Sequence, residues 1–190
     1  MFNCTCPSIC ITHLCNIDML SAHPLRPNRL RHILQVNSGM RYDVRKPTQE
    51  GIASSTWQQI SHLPALLDVP TFNILIISKA FPWSIVIRAP AGSVVTCGAI
   101  FEELHKQLQR HIEDSEWGTV AVDKTRREAI QKAAKSRQEK DKVNRLKRVD
   151  WLGDTSMFEG LEKDKEFEKQ RHLPGNANVT ETWVVRFGKR

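Results

Sequence analysis

Cysteine is the residue in this sequence best suited to covalent chemistry, and Cys97 is the cysteine that lies in a regular pattern. From Cys97 the apolar residues recur at offsets of three, four, seven and eleven, which predicts a helix that begins there. A helix N-terminus lowers the pKa of a thiol, so Cys97 is the best candidate nucleophile. A thiol enzyme also needs a base, and His105, eight residues on, would lie about 12 Å away along the axis.

Other histidines could serve Cys97 only if the fold brought them close: His23, His32 or His62. Cys97 shares its helical face with Ile100 and Leu104, so we interpret it as a packed core thiol. A thiol enzyme that uses Cys97 is the alternative.

The first fifteen residues hold a second set of groups that could do chemistry, as metal ligands: Cys4, Cys6, Cys10, His13 and Cys15. Their spacings match no usual zinc pattern, and no second cysteine pair lies downstream. We therefore expect residues 1–20 to be a poorly ordered leader or an imperfect gene prediction, and residues 21–190 to form a single domain.

Carboxylates offer little catalytic chemistry. Glu102 and Glu103 are adjacent, so they splay apart on a helix, and we expect Asp150 to be a turn or cap residue that accepts backbone hydrogen bonds. The sequence has no Gly-x-Gly-x-x-Gly, Walker, His-Glu-x-x-His or Gly-x-Ser-x-Gly motif. We therefore assign no catalytic, cofactor or metal residue and do not expect an enzyme.

Positive charge is concentrated in one segment. Eleven of the 28 basic and four of the 21 acidic residues lie from Asp123 to Arg148, so that segment accounts for the whole net charge of +7. It has no aromatic residue on which a base could stack, and a solvated helical face is its ordinary interpretation. Eight of its basic residues form our candidate interaction surface: Lys124, Arg126, Arg127, Lys132, Lys135, Arg137, Lys140 and Arg145.

The elements that position these groups predict an α+β domain, in which a small, mainly antiparallel sheet packs against one amphipathic helix, with a second, basic helix. β-Branched and aromatic runs predict strands at 72–77, 81–88 and 180–187, with a further strand pair near the N-terminus, at 31–36 and 40–44. The amphipathic helix runs over 97–110 with Thr96 as its N-cap. Asp123 caps the basic helix, over 124–140, and the short apolar clusters at 149–153 and 158–161 lie in a loop-rich stretch.

The predicted core contains the inward-facing residues of these elements: Ile74, Ile76, Trp83, Ile85, Ile87, Ile100, Phe101, Leu104, Leu108, Trp151, Leu152, Phe158, Trp183 and Val185. A chain of 190 residues with 40% hydrophobic residues can bury such a core without disulfides or a cofactor. Its apolar runs are too short to cross a membrane. The cysteines are not spread as in a stapled secreted domain, so we expect an intracellular protein, cytoplasmic or nuclear.

The order of several short motifs resembles a fungal, mostly basidiomycete, family of domains of unknown function, over about residues 21–187. The matching pieces are His23-Pro24-Leu25, Tyr42-Asp43-Val44, Phe81-Pro82-Trp83-Ser84-Ile85, Val95-Thr96, Glu116-Trp117, Arg148-Val149-Asp150-Trp151-Leu152, Phe158-Glu159-Gly160-Leu161 and the strand with Trp183. Members often have an acidic residue in the helix's first turn where this chain has Ala99. The resemblance implies no activity, ligand or catalytic residue.

These observations favour a non-enzymatic protein-interaction module with an unidentified protein partner and no membrane contact. The alternative is electrostatic binding of nucleic acid through the 124–148 segment.

Overall fold

A five-stranded sheet organises the part of the chain that the structure describes, residues 28–171 and 181–190 of a computed structural model. The strands are β1 Tyr42–Asp43, β2 Asn73–Ile77, β3 Ile85–Arg88, β4 Met157–Glu162 and β5 Glu181–Gly188. They lie in the order β1-β4-β5-β2-β3. β2 and β5 are parallel, whereas the other three neighbouring pairs are antiparallel.

Six α-helices surround this sheet within the described residues: α1 Thr48–Gly51, α2 Ser54–Ile60, α3 Cys97–Leu108, α4 Asp114–Gly118, α5 Lys124–Asp141 and α6 Lys165–Arg171. Two short 3-10 helices occupy His32–Leu34 and Arg148–Leu152. The α+β class is therefore confirmed, with more helices than the sequence predicts. No described helix is long and apolar enough to cross a membrane.

Both predicted helix caps are confirmed. The Thr96 hydroxyl accepts a hydrogen bond from the Ala99 N–H at 3.2 Å at the start of α3, and Asp123 Oδ1 accepts one from the Arg126 N–H at 2.9 Å at the start of α5. These side chains satisfy amides that have no partner inside the helix. The five periodic apolar residues of α3 are all buried, and Phe101 meets Tyr42 and Phe158 edge-to-face.

Every residue of the predicted core is buried. Burial of this kind removes apolar surface from water and is the main favourable contribution to folding. In β3, the buried residues Ile85 and Ile87 alternate with the exposed residues Val86 and Arg88. The period-two pattern therefore predicts the inward face of this strand correctly.

The predicted strand pair near the N-terminus is wrong. Within 31–36 the chain forms the His32–Leu34 3-10 helix, which buries Leu34. Tyr42 and Asp43 do form a strand, but they pair with Phe158 and Met157 of β4 and not with a hairpin partner. Adjacent apolar residues such as Ile33 and Leu34 do not alternate, and a tight helical turn buries Leu34 without a strand partner.

Other predicted bounds also differ from the structure, and α3 ends at Leu108 instead of residue 110. Phe81 and Trp83 precede β3 instead of belonging to it, and their rings stack at 4.7 Å with an interplanar angle of 3°. Arg171 donates to the carbonyls of Pro82 and Trp83, so these acceptors bind a side chain and not a neighbouring strand. The cluster at 158–161, predicted as loop, lies within β4.

The proposed metal ligands from Cys4 to Cys15, together with the leader, lie outside the described residues. Among the residues that are described, no group of His, Cys, Asp and Glu could hold a metal ion.

Candidate functional site

Asp150 lies in the Arg148–Leu152 3-10 helix, the most specific motif of the sequence, and its side chain is buried. Its Oδ2 accepts a hydrogen bond from the Lys147 N–H at 2.8 Å, which confirms the predicted capping role. Arg137 of α5 donates to both carboxylate oxygens, from Nε at 2.8 Å and from Nη2 at 2.9 Å. Bidentate pairs of this kind are strong and fix orientation, so Asp150 holds α5 against the 3-10 helix.

Arg137 also organises the turn that follows α5. Its Nη2 donates to the carbonyl of Arg145 at 2.7 Å, and the helix ends at Lys142, which has a left-handed conformation. Only 11% of the Arg137 side chain is exposed. This predicted surface residue is therefore engaged inside the protein.

Arg148, in the same motif, binds a second carboxylate. It donates to Glu116 of α4 from Nε at 3.1 Å and also from Nη2, and its guanidinium lies 5.0 Å from the centroid of Trp83. Gln107 of α3 accepts a further hydrogen bond at 3.2 Å. The charged residues of this motif thus join helices and aromatic core, which is a structural role.

A groove with a volume of about 620 Å³ lies along one flank of α5, and we call it the α5 groove. The helix lines it with small and basic residues: Ala129, Lys132, Ala133, Ser136, Arg137 and Lys140. The opposite side comes from distant parts of the chain, including Arg45 and Lys46 after β1, Gln109 after α3, and Gly153 and Asp154 after the 3-10 helix. The fold therefore assembles this groove from several segments.

Positive charge exceeds negative charge around the α5 groove. Six basic side chains and four carboxylates line it. Arg45 pairs with Asp43 at 2.6 Å, and Arg137 pairs with Asp150 and, at 3.7 Å, with Asp141. Three of the four carboxylates are thus already bound to arginines.

The lysines of the groove differ from Arg45 and Arg137, which are bound to its carboxylates. Lys46, Lys132 and Lys140 are exposed, and none of them forms an ion pair with another residue of the described ranges. A lysine ammonium that faces a recess without an internal partner is available to an anion from outside. Asp154, at the edge, is the carboxylate that an incoming anion would have to avoid.

Asp43 is ionised at neutral pH. Its partial burial alone would raise the pKa, but hydrogen bonds from Arg45 and Ser156 outweigh that effect and hold the pKa of Asp43 below its usual range. No histidine, cysteine or tyrosine lines the groove.

The other members of the candidate interaction surface lie outside the groove. Lys124 is exposed and pairs with Glu128 at 3.8 Å, and Lys135 and Arg145 are exposed. Arg126 is half-buried and donates to the carbonyls of Ala80 and Trp151. Arg127 is also half-buried. The interaction surface stays a prediction, but its residues clearly differ in how much charge they present.

Cys97 is a buried core thiol, as the favoured interpretation predicts. Its Sγ lies 3.9 Å from the carbonyl oxygen of Pro64. Burial raises the pKa of the Cys97 thiol to about 11, although the charge of Arg31 and a backbone hydrogen bond act in the opposite direction. This thiol is protonated at neutral pH and has no access to solvent, so the structure argues against a thiol enzyme.

Sequence reasoning missed Arg45, Lys46 and Gln109 as parts of this site. Lys46 lies beyond a two-residue strand, and nothing in its neighbourhood marks it as different from any surface lysine. The one local sequence signal for this part of the site was the Tyr42-Asp43-Val44 motif. Its Asp43 binds Arg45, which lines the groove.

Comparison with known proteins gives one match. A family model described as "Family of unknown function (DUF6699)" matches residues 40–170, more than half of the chain. No curated protein matches, and neither does any solved structure. The predicted resemblance to a domain of unknown function is confirmed over that range, whereas a fungal source stays a prediction.

Proposed function

The chain belongs to the family of unknown function DUF6699, and from its geometry we propose that it is a non-enzymatic protein-interaction module that binds an acidic segment of a partner protein in the α5 groove. The proposal rests on one observation: the basic residues of the groove have two different roles. Arg45 and Arg137 bind the groove's own carboxylates, whereas Lys46, Lys132 and Lys140 present charge to the recess.

Charge complementarity is the physical reason for an acidic partner. Opposite potentials speed diffusional encounter and disfavour wrong partners, and their effect weakens as salt is added. Ala129, Ala133 and Val149 give the lining an apolar component that a carboxylate-bearing side chain can cover with its methylenes. A short acidic segment therefore matches both the charged and the apolar residues of the lining.

Absence of catalytic groups in the described residues supports a binding role over an enzymatic one. The groove offers no nucleophile with a base beside it, and its buried carboxylates are locked in ion pairs. Within our proposal the protein is intracellular, cytoplasmic or nuclear.

Nucleic acid is the second candidate ligand, because the exposed basic residues continue beyond the groove to Lys124, Lys135 and Arg145. A phosphate backbone would use all of these charges, and its binding would fall steeply with salt. A protein segment held in the groove would use only those that line it. The two candidates therefore predict different effects for Lys132 and Lys135, which lie on the same helix.

The test is fluorescence anisotropy with a labelled, Glu-rich peptide. We expect Lys132→Glu and Lys140→Glu each to raise Kd about tenfold, equivalent to about 1.4 kcal/mol. Lys135→Glu makes the same charge change at a residue of the same helix that does not line the groove, and it should alter Kd less than Lys132→Glu does. Circular dichroism of each variant checks that the fold is retained.

Failure of the peptide to bind at low salt would overturn the proposal. If Lys135→Glu weakened binding as much as Lys132→Glu, the groove would have no special role. A labelled single-stranded oligonucleotide that bound better than the peptide, with a steep salt dependence, would favour the nucleic-acid alternative.

A further inference from the structure

The α5 groove contains a hydroxyl between two lysines, and this arrangement suggests a more specific ligand than a carboxylate. Lys132, Ser136 and Lys140 are spaced at i, i+4 and i+8 and all line the groove. Residues four apart share a helical flank and lie about 6 Å apart along the axis. Ser136 is exposed, so its hydroxyl is free to donate to a ligand between the two ammonium groups.

From this geometry we propose that the acidic segment carries a phosphorylated serine or threonine, whose phosphate binds at Ser136 between Lys132 and Lys140. The inference rests on the function proposed above and identifies the partner's chemistry. A phosphate on a side chain carries close to two negative charges at pH 7 and three acceptor oxygens. Several separate donors around one recess can satisfy such a group at the same time.

The charge of the ligand favours phosphate over carboxylate. Two of the three arginines that line the groove, Arg45 and Arg137, are already bound to its own carboxylates, and the third is Arg190. Beside Ser136 on α5, the charges left for a ligand are lysines, which act as point charges. A phosphate with close to two negative charges gains more from two such ammonium groups than a singly charged carboxylate does.

The side of the groove opposite α5 adds one positive charge, and two carboxylates limit where an anion can bind. Lys46 faces the groove from the turn after β1 and increases the positive potential there. Asp141 and Asp154 also line the groove and repel an anion, but Asp141 is paired with Arg137 at 3.7 Å. Around the groove as a whole, the three lysines therefore outnumber the one carboxylate, Asp154, that has no ion pair among the described residues.

A protein segment fits this groove better than a nucleic acid does. No aromatic residue lines it, so a base would find no stacking platform. A volume of about 620 Å³ suits a few side chains. The phosphate is therefore expected on a peptide and not in a polynucleotide backbone.

The experiment compares two labelled peptides of equal charge by anisotropy, one with a single phosphoserine and one with two glutamates in its place. We expect the phosphopeptide to bind about tenfold more tightly. Ser136→Ala and Lys140→Gln should each remove most of that preference, whereas Lys135→Gln, outside the groove, should preserve it. Ser136 and Lys140 are exposed, so these variants are expected to fold.

Each outcome separates the two proposals. If both peptides bind equally, the phosphate site is wrong and the acidic-segment function stands. If neither binds, the proposed function fails as well. If the phosphopeptide is preferred but Ser136→Ala leaves the preference unchanged, the phosphate does not bind where we place it. If a single-stranded oligonucleotide displaces the phosphopeptide with equal affinity, the ligand is a nucleic-acid backbone and the inference is overturned.

Discussion

Arg137 and Asp150 are thirteen residues apart in sequence and are joined by two parallel hydrogen bonds of 2.8 and 2.9 Å. Their side chains are 11% and 2% exposed. The pair connects the basic helix to the most specific motif of the chain and forms one wall of the α5 groove. It thereby links the stability of the domain to the shape of its candidate binding surface.

Removal of one partner of this pair should destabilise the protein strongly. Arg137→Ala leaves the buried Asp150 carboxylate without its counter-charge, and we expect the free energy of unfolding to fall by about 3 kcal/mol. Urea denaturation at pH 7 measures the loss. Lys135→Ala, on the exposed side of the same helix, should change stability by less than about 0.5 kcal/mol. A loss of similar size in both variants would mean that the ion pair has no special structural role.

Gly160 should tolerate no side chain. Its φ is +134°, and a Cβ there would lie 2.4 Å from the backbone nitrogen of Val36. We expect Gly160→Ala to cost at least about 2 kcal/mol, through backbone strain and overpacking. Thermal denaturation followed by circular dichroism measures it.

Gly118 provides the matched control for this substitution. It ends α4, and a Cβ there would meet nothing within 4 Å. Gly118→Ala should therefore be neutral or slightly stabilising. Equal thermal stability of the two alanine variants would contradict the close approach of Gly160 to Val36.

Cys97 should resist thiol reagents in the native state. Burial raises its pKa to about 11, so only about one thiol in a thousand is ionised at pH 8. Mass spectrometry of peptides after maleimide treatment distinguishes Cys97 from the other cysteines. We expect modification only after denaturation, and rapid labelling of the folded protein would restore the thiol-enzyme hypothesis.

Stability should fall in alkaline solution, partly because of the same thiol. The pKa of Cys97 is raised from 9.0 to about 11 in the folded protein, so the folded state holds a proton that the unfolded state has released. The free energy of unfolding therefore decreases between about pH 9 and 11, by at most about 1.4 kcal/mol per pH unit from this group. Below pH 9 both states are protonated and the contribution is constant.

Cys97→Ala isolates this contribution. Urea denaturation at several pH values should give the variant a shallower decline over the same interval. Burial also raises the pKa of Tyr42, so part of the decline should persist in the variant. An identical slope in the two proteins would show that Cys97 does not titrate as a buried thiol.

The local sequence pattern was sufficient to predict elements whose structure depends on their own residues. The period of Cys97, Ile100, Phe101, Leu104 and Leu108 predicts α3, and hydroxyl and carboxylate caps mark the starts of both long helices. The core could be predicted for the same reason, because burial follows from residue type and period. These properties need no knowledge of distant partners.

The pairing of strands that are distant in the sequence could not be predicted from the local pattern. β4 has only Phe158 and Leu161 as strongly apolar inward residues, and Gly160 interrupts their alternation with a bulge. Its strand conformation depends on β1 and β5, which are far away in the sequence. The parallel pairing of β2 with β5 likewise leaves no local trace.

The α5 groove could not be predicted from the sequence for a related reason. Arg137 and Lys140 look equivalent in the sequence, yet one is locked to Asp150 and the other is exposed. Only the three-dimensional position of Asp150 separates them. Lys46 joins them from a turn that the sequence does not connect with α5.

The strand at the middle of the sheet is the last of the five to be synthesised. β5 lies between β4 and β2, and the Ser78 hydroxyl donates to the Val185 carbonyl, 107 residues later. While the ribosome is still translating this region, β2 and β4 have no shared neighbour, and their hydrogen-bonding edges stay open. The five-stranded sheet therefore cannot be completed before its final strand is available.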